Sequence, residues 1–256
     1  MQTGCAITTN CEALCGMLKT KYGAYLSESP AVCELSLRVL RDKDGYIIST
    51  SHGSFETDRP LCEIDRFLFE NTVYDPRILA LHGGAVEWNG EATLFLAATT
   101  GGKTTLTSYL TGRGCGYITD DCILVDRNDF SIYPFSSPIQ LRDGGLEVLK
   151  KYNAVPDGLQ LLEEAPVLRR WVYTPANCVK KAVPLKRIFF IERNEHENRS
   201  VTMQTTERIT ALMKAPITSY PITGDYLRLL SRLAKTECYL LRYCDMNYVK
   251  EIIQNG

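Results

Sequence analysis

"AATTGGKTTL", residues 97–106, decides how the rest of the chain is read. The closing Gly102-Lys103-Thr104 matches the end of a phosphate-cradling loop, whose pattern is Gly, four residues, then Gly-Lys-Ser/Thr. The opening position is Ala97 instead of glycine. In such a loop successive backbone N–H groups turn inward on an anion, and the helix that follows adds its positive end. Glycine at 101 and 102 permits the close approach this requires, whereas alanine at the opening position is tolerable as long as its φ is negative. Lys103 then faces the β- and γ-phosphates and the Thr104 hydroxyl faces Mg²⁺. The alternative reading is a Gly-Gly turn with an incidental lysine. The flanks favour the loop: an apolar run enters it, and Thr104, Leu106, Tyr109 and Leu110 leave it with helical spacing, as far as "TGRGCG".

Upstream, "ILALHGGAVEWNGEATLFLAAT" holds two apolar runs joined by Asn89-Gly90, the residue pair favoured in a two-residue hairpin turn. The second of these strands feeds the loop. Downstream, "YITDDCILVD" sets Asp120 and Asp121 at the start of another apolar strand. Aspartate is a poor strand former, and adjacent carboxylates repel unless a cation or proton lies between them. Beside a phosphate loop, one acid of such a pair suits Mg²⁺ and the other suits the proton of an attacking hydroxyl; alone, the pair would be a solvated strand cap. His82, in "LALHGGAV", lies in the strand expected beside the loop's feeder, within reach of the acids. As a lone histidine on an apolar strand it would be a core residue. His52 and His196 have no comparable neighbours in the sequence and receive no role.

The remaining segments organise around this centre. "CELSLRVLRDKDGYIIST", residues 33–50, alternates apolar and polar positions about Asp44-Gly45 and reads as a hairpin. Leu61, Ile64, Phe67 and Leu68 recur at helical intervals. Residues 1–75 are therefore expected to form a small α+β unit, and residues 76–256 a nucleotide-binding catalytic domain. "SPIQLRDGG" reads as a connecting loop, and residues 152–184 as an irregular excursion over the site. "LKRIFFIER" reads as a strand, and the C-terminal part as helical, with Ile209, Leu212 and Met213, then Tyr226, Leu229, Leu230 and Leu233, on single faces.

Composition excludes several classes. Hydrophobic residues make up 45%, charged residues 23%, and the net charge is −1, which gives no basic excess for nucleic acid. No apolar stretch approaches the roughly 20 residues that span a bilayer, so no membrane partner is expected. The start "MQTGCAITTN" lacks a basic segment followed by an apolar one, and a cytoplasmic location is expected. The ten cysteines include no CxxC pair and read as reduced thiols.

His82-Gly83, the Asn89-Gly90 turn, the loop and Asp120-Asp121 occur in an order and spacing that resemble the bacterial HPr kinase/phosphorylase catalytic domain. The short first unit and the helical end are similar to HPr kinase-related enzymes of ribosomal peptide biosynthesis, including those acting on lasso-peptide precursors. The resemblance is most specific over residues 80–126. It implies an α/β fold with a phosphoenolpyruvate carboxykinase-like P-loop kinase core and a mixed sheet. It also implies an ATP-dependent transfer of the γ-phosphoryl group to a serine of a peptide or protein, and homo-oligomer assembly. Residue by residue, it makes Thr99, Thr100, Gly101, Gly102, Lys103, Thr104 and Thr105 the triphosphate cradle. Thr104 and Asp121 become the Mg²⁺ holders and Asp120 the general base, with His82 beside it; Lys103 stabilises charge. Two departures stand out: Ala97 replaces a glycine, and no good copy of the family's second signature follows the aspartates, which puts HPr as substrate and the phosphorylase activity in doubt. In the nearest segment Arg142 is a candidate phosphate contact, as are Arg169 and Arg170 further on. A small-molecule kinase of the same fold, acting for example on free serine, and a nucleotide-binding protein without transfer remain the alternatives.

Overall fold

The computed structural model describes residues 5–23, 26, 33, 35–43, 45–73, 75–98, 100–164, 168–217 and 221–256. The chain forms two compact units, each made of separated segments: Met1–Tyr74 with Gly158–Thr174, and Asp75–Asp157 with Pro175–Gly256. The sequence reading placed all of 76–256 in one domain. Residues 158–174 instead cluster with the N-terminal unit, because Leu162 and Val172 are buried in its core beside Leu14, Val39, Ile48 and Ile64.

In the first unit the strands run in spatial order Cys5–Thr9, Leu35–Asp42, Gly45–Thr50 and Gly53–Thr57. The first pair is parallel, and the others are antiparallel hairpins. The expected hairpin of residues 33–50 is thus present, its residue Asp44 lying outside the described residues. Helices Glu12–Tyr22 and Pro60–Val73 supply the apolar faces that cover the sheet, the second with proline at its first position, where no N–H is needed. The Lys21 ammonium and Tyr22 hydroxyl both donate to the Asp65 carboxylate, which ties the two helices. Gln160–Glu164 and Leu168–Tyr173 form an antiparallel hairpin where an irregular excursion was expected. Within it Arg169 reaches Glu163 at 3.7 Å and stacks its guanidinium over Trp171.

The second unit is built on an eight-stranded mixed sheet. Leu185–Arg193 lies parallel to both Glu237–Tyr243 and Glu91–Leu96, and the remaining pairings are antiparallel. Glu237–Tyr243 is a strand inside the part read as helical, and Ile139–Leu141 is a short strand running into helix Asp143–Lys151 where a connecting loop was expected. Asn89 and Gly90 take positive φ of 54° and 81°, the backbone a two-residue turn of this kind demands, and join Ile78–Trp88 to Glu91–Leu96. Both strands are buried almost throughout, hence their near-continuous apolar sequence. Helix Gly224–Leu233 buries Tyr226, Leu229, Leu230 and Leu233 and is capped by the Thr223 hydroxyl, which accepts from the Tyr226 amide at 3.2 Å.

One irregularity positions the site. The strand Ile78–Trp88 pairs with Cys122–Asp126 along its first half and with Gly116–Thr119 along its second. Between these two partners the chain bends at Asp120-Asp121, opposite Gly83-Gly84, and the Gly83 amide donates to the Asp121 carbonyl at 3.2 Å. A Cβ at Gly83 would lie 2.6 Å from Ile123 Cδ1, 2.7 Å from Leu96 Cδ2 and 2.7 Å from the Phe95 carbonyl. The last contact is with paired backbone and cannot be relieved by a rotamer change. Gly83→Ala is expected to destabilise the protein by about 2 kcal/mol, read as a lower urea midpoint with unchanged slope; wild-type stability would show that the sheet has room there.

Candidate functional site

Strand Glu91–Leu96 ends at the loop, and helix Lys103–Gly112 begins at its far side. This is the strand, loop and helix order that the motif requires. The helix has Gly102 at its N-cap, with φ 88° and ψ 6°, and no side chain caps it. Its first-turn amides are thus open to an anion. Gly101 is compact for a different reason: a Cβ there would sit 2.7 Å from the Ala97 methyl and 2.9 Å from the Ala98 carbonyl. Ala97 fills the room that Gly101 leaves, and it is not among the residues with positive φ. Thr100 is, at 66°, a conformation unfavourable for a β-branched side chain. Thr99 lies outside the described residues.

Lys103 is buried, 6% exposed, and its ammonium donates to the carbonyls of Ala97 at 2.9 Å and Ala98 at 3.1 Å. It straps the two ends of the loop together. Burial pulls its pKa down, while the charges of Asp121 and Asp120 push the other way. Thr104 donates its hydroxyl to the Asp120 carboxylate, which joins the helix start to the bend in the neighbouring strand. Thr105 faces the second helix, its hydroxyl 2.9 Å from where a Cβ on Gly145 would be. Both threonines are half-buried.

The two aspartates occupy different environments. Asp120 is 5% exposed, and its pKa is raised to about 8, first by burial and then by the charge of Asp121, against the hydrogen bonds from Thr104 and Tyr117. The Tyr117 hydroxyl lies 3.4 Å from Asp120 but 2.7 Å from the Ser137 carbonyl, and its single hydrogen serves the shorter contact better. The Asp121 side chain is 71% exposed, with His82 Nδ1 at 3.7 Å from its carboxylate. The same nitrogen lies 3.2 Å from the Asp121 carbonyl, which can only accept, so Nδ1 carries the hydrogen in that contact. The sequence reading paired Thr104 with Asp121. In the structure its hydroxyl meets Asp120, while Lys103 next to it feels the charges of both acids, Asp121 first.

Arg142 is exposed, and among the described residues its guanidinium makes no hydrogen bond or ion pair. It immediately precedes helix Asp143–Lys151. Sequence reasoning missed Tyr117, Tyr243 and Gly84. A Cβ on Gly102 would lie 3.2 Å from the Tyr243 hydroxyl, and one on Gly84 only 2.2 Å from the Thr107 hydroxyl. Beside Gly102 and Thr105 a cavity of about 30 Å³, room for roughly one water, is lined by Tyr152, Tyr243 and Met246 among others. Only the glycine doublet at 83–84 carried a signal, since two successive glycines in an apolar strand mark close backbone approach.

No protein-family model matches the chain, and no curated protein does. Among solved structures it is similar to the HPr(Ser) kinase/phosphatase from Coxiella burnetii, at 12% identity over 61% of this chain and 93% of that one, with a TM-score of 0.27. Likeness at that level fixes neither topology nor chemistry, and the reading of this chain rests on its own geometry.

Two outcomes follow from that geometry. The folded Asp120 carboxyl binds its proton more tightly than the ordinary value of 3.8. Stability from this group is therefore whole below about pH 4 and is lost as pH rises toward 8. Asp120→Asn, which cannot ionise, should raise the melting temperature of the unligated protein at pH 8 and much less at pH 5; an equal gain at both would refute the buried acid. Thr100→Gly relieves a left-handed β-branched residue and should add about 1 kcal/mol, seen as a higher urea midpoint.

Proposed function

We propose that this chain is an ATP- and Mg²⁺-dependent kinase that passes the γ-phosphoryl group to a serine hydroxyl of a peptide or protein, with Asp75–Asp157 and Pro175–Gly256 as its catalytic body. The observation that carries the reading is the Thr104–Asp120 hydrogen bond. It joins an uncapped, glycine-led helix start to a buried acid whose charge the Lys103 ammonium feels. When bound, Mg²⁺-ATP would supply the electrophilic γ-phosphorus, with ADP as the leaving group. The amides from Gly102 to Thr105, at the helix start, would cradle the phosphates. Lys103 exchanges two neutral carbonyls for phosphate oxygens, a stronger charge-assisted contact.

In this reading Thr104 and Asp120 would hold the metal, directly or through water. A hydroxyl, one carboxylate and the phosphates suffice for an ion that keeps much of its water. Among the described residues no cluster of three His, Cys, Asp or Glu side chains would hold a metal unaided. In this proposal the two acids exchange the roles that the resemblance implied. Asp121, solvent-facing and steered by His82, is the acid an acceptor hydroxyl can reach, and it takes the proton as the oxygen attacks. The accessibility of Asp121 and His82, and the smallness of the cavity beside the loop, favour an acceptor on a large molecule over one enclosed in a pocket. A cytoplasmic location, where ATP is plentiful and thiols stay reduced, suits the ten free cysteines.

Mg²⁺-ATP at a hundred times its dissociation constant should add about 2.7 kcal/mol of stability, and Lys103→Ala should lose that gain. Absence of any shift in the wild type would end the proposal. With a serine-containing peptide and labelled ATP, Asp121→Asn should keep Mg²⁺-nucleotide binding yet transfer phosphate at least about 100-fold more slowly. Asp120→Asn should lose the Mg²⁺ dependence of binding. Full transfer by Asp121→Asn together with intact Mg²⁺ dependence in Asp120→Asn would return the base to residue 120.

A further inference from the structure

In the first unit a cavity of about 310 Å³ opens between the last hairpin of the sheet and helix Pro60–Val73. Ile48 and Phe55 pair across the strands and form its floor, and Phe67 lies on the opposite wall. Glu63, Arg66, Phe67 and Glu70 are spaced i, i+3, i+4 and i+7, so the helix turns one stripe into the groove. Strand Gly53–Thr57 is the sheet's edge, and among the described residues no further strand pairs with it. Phe55 is 39% exposed there, an aromatic ring on an open edge.

The charges point in one direction. Arg66 stacks its guanidinium 5.8 Å from the centre of the Phe55 ring and stands 2.6 Å from Glu63. That contact is to Glu63 Oε2, so the guanidinium answers this carboxylate. Among the described residues no cation pairs with Glu70. Two carboxylates against one guanidinium leave the groove with a net negative charge.

We infer that this groove binds an extended peptide segment by strand addition to Gly53–Thr57, seating a large apolar side chain on Ile48, Phe55 and Phe67 and a lysine or arginine two positions along on Glu70. Backbone hydrogen bonds to the free edge supply affinity, and alternate side chains supply selectivity. The source of the peptide rests on the kinase reading: it is a segment of the acceptor substrate, separate from the phosphorylated serine. Binding itself does not depend on that reading and is measured without nucleotide.

The test is fluorescence anisotropy on the full chain with a labelled heptapeptide that alternates threonine on one face with lysine, phenylalanine and lysine on the other. A matched peptide carries glutamate in place of lysine. The lysine peptide should bind at least about tenfold more tightly than the glutamate peptide, and Glu70→Lys should reverse that order. Phe55→Ser should weaken both. Absence of binding, equal binding of the two peptides, or an order unchanged by Glu70→Lys would each overturn the inference. So would a concentration-dependent dimer abolished by Phe55→Ser, which would make a second copy of the chain the occupant. The Mg²⁺-ATP shift, measured on the same variants, should be unaltered, and its loss in the wild type would count against the kinase reading alone.

Discussion

Asp120 meets Thr104 only because the strand facing it carries no side chains at Gly83 and Gly84. Any Cβ at these two positions would enter the Phe95 carbonyl and Leu96 on one side or Thr107 on the other. At Gly84 the missing side chain lets both Thr107 of the loop helix and the backbone of Asp120 come close to the central strand. The strand beyond must then change partners, from Cys122–Asp126 to Gly116–Thr119, with a register shift between Ala85 and Val86. The sheet, the bend and the helix start are in this sense one construction, and the acid pair sits at its joint.

That joint stores electrostatic tension. A carboxyl buried to 5% exposure and held beside a second carboxyl favours its neutral form, while burial disfavours the charged form of Lys103 nearby. Hydrogen bonds soften both penalties without removing them, since Tyr117 divides its attention with Ser137 and Lys103 is answered by neutral carbonyls. A dication and a polyanion arriving together would discharge both at once.

Much of this was legible in the residues. Asn89-Gly90 fixed the central hairpin because few other pairs accept two positive φ values, and the Gly-Lys-Thr end of the loop sat between a strand and a helix as its chemistry requires. What escaped had physical causes. Which of two adjacent aspartates turns inward depends on the bend, and no pattern of residue types encodes it. Glu237–Tyr243 is short and buried irregularly, so its period is ambiguous between strand and helix. Prolines around residues 156–184 masked a regular hairpin. Tyr117 and Tyr243 approach the site from separate strands, a proximity that linear spacing does not record. Residues 158–174 belong with the N-terminal unit through Leu162 and Val172, a tertiary association over more than a hundred positions that local periodicity does not carry.

This interleaving has a consequence during synthesis. The N-terminal body cannot close its apolar interior until Val172 has left the ribosome, by which time the phosphate loop and both aspartates are already outside the tunnel. The first body can therefore close only after the phosphate loop has emerged, and before Pro175–Gly256 completes the second. A gene fragment ending near codon 75 would encode a half-built module, and any fusion or domain exchange in this lineage has to move both threads.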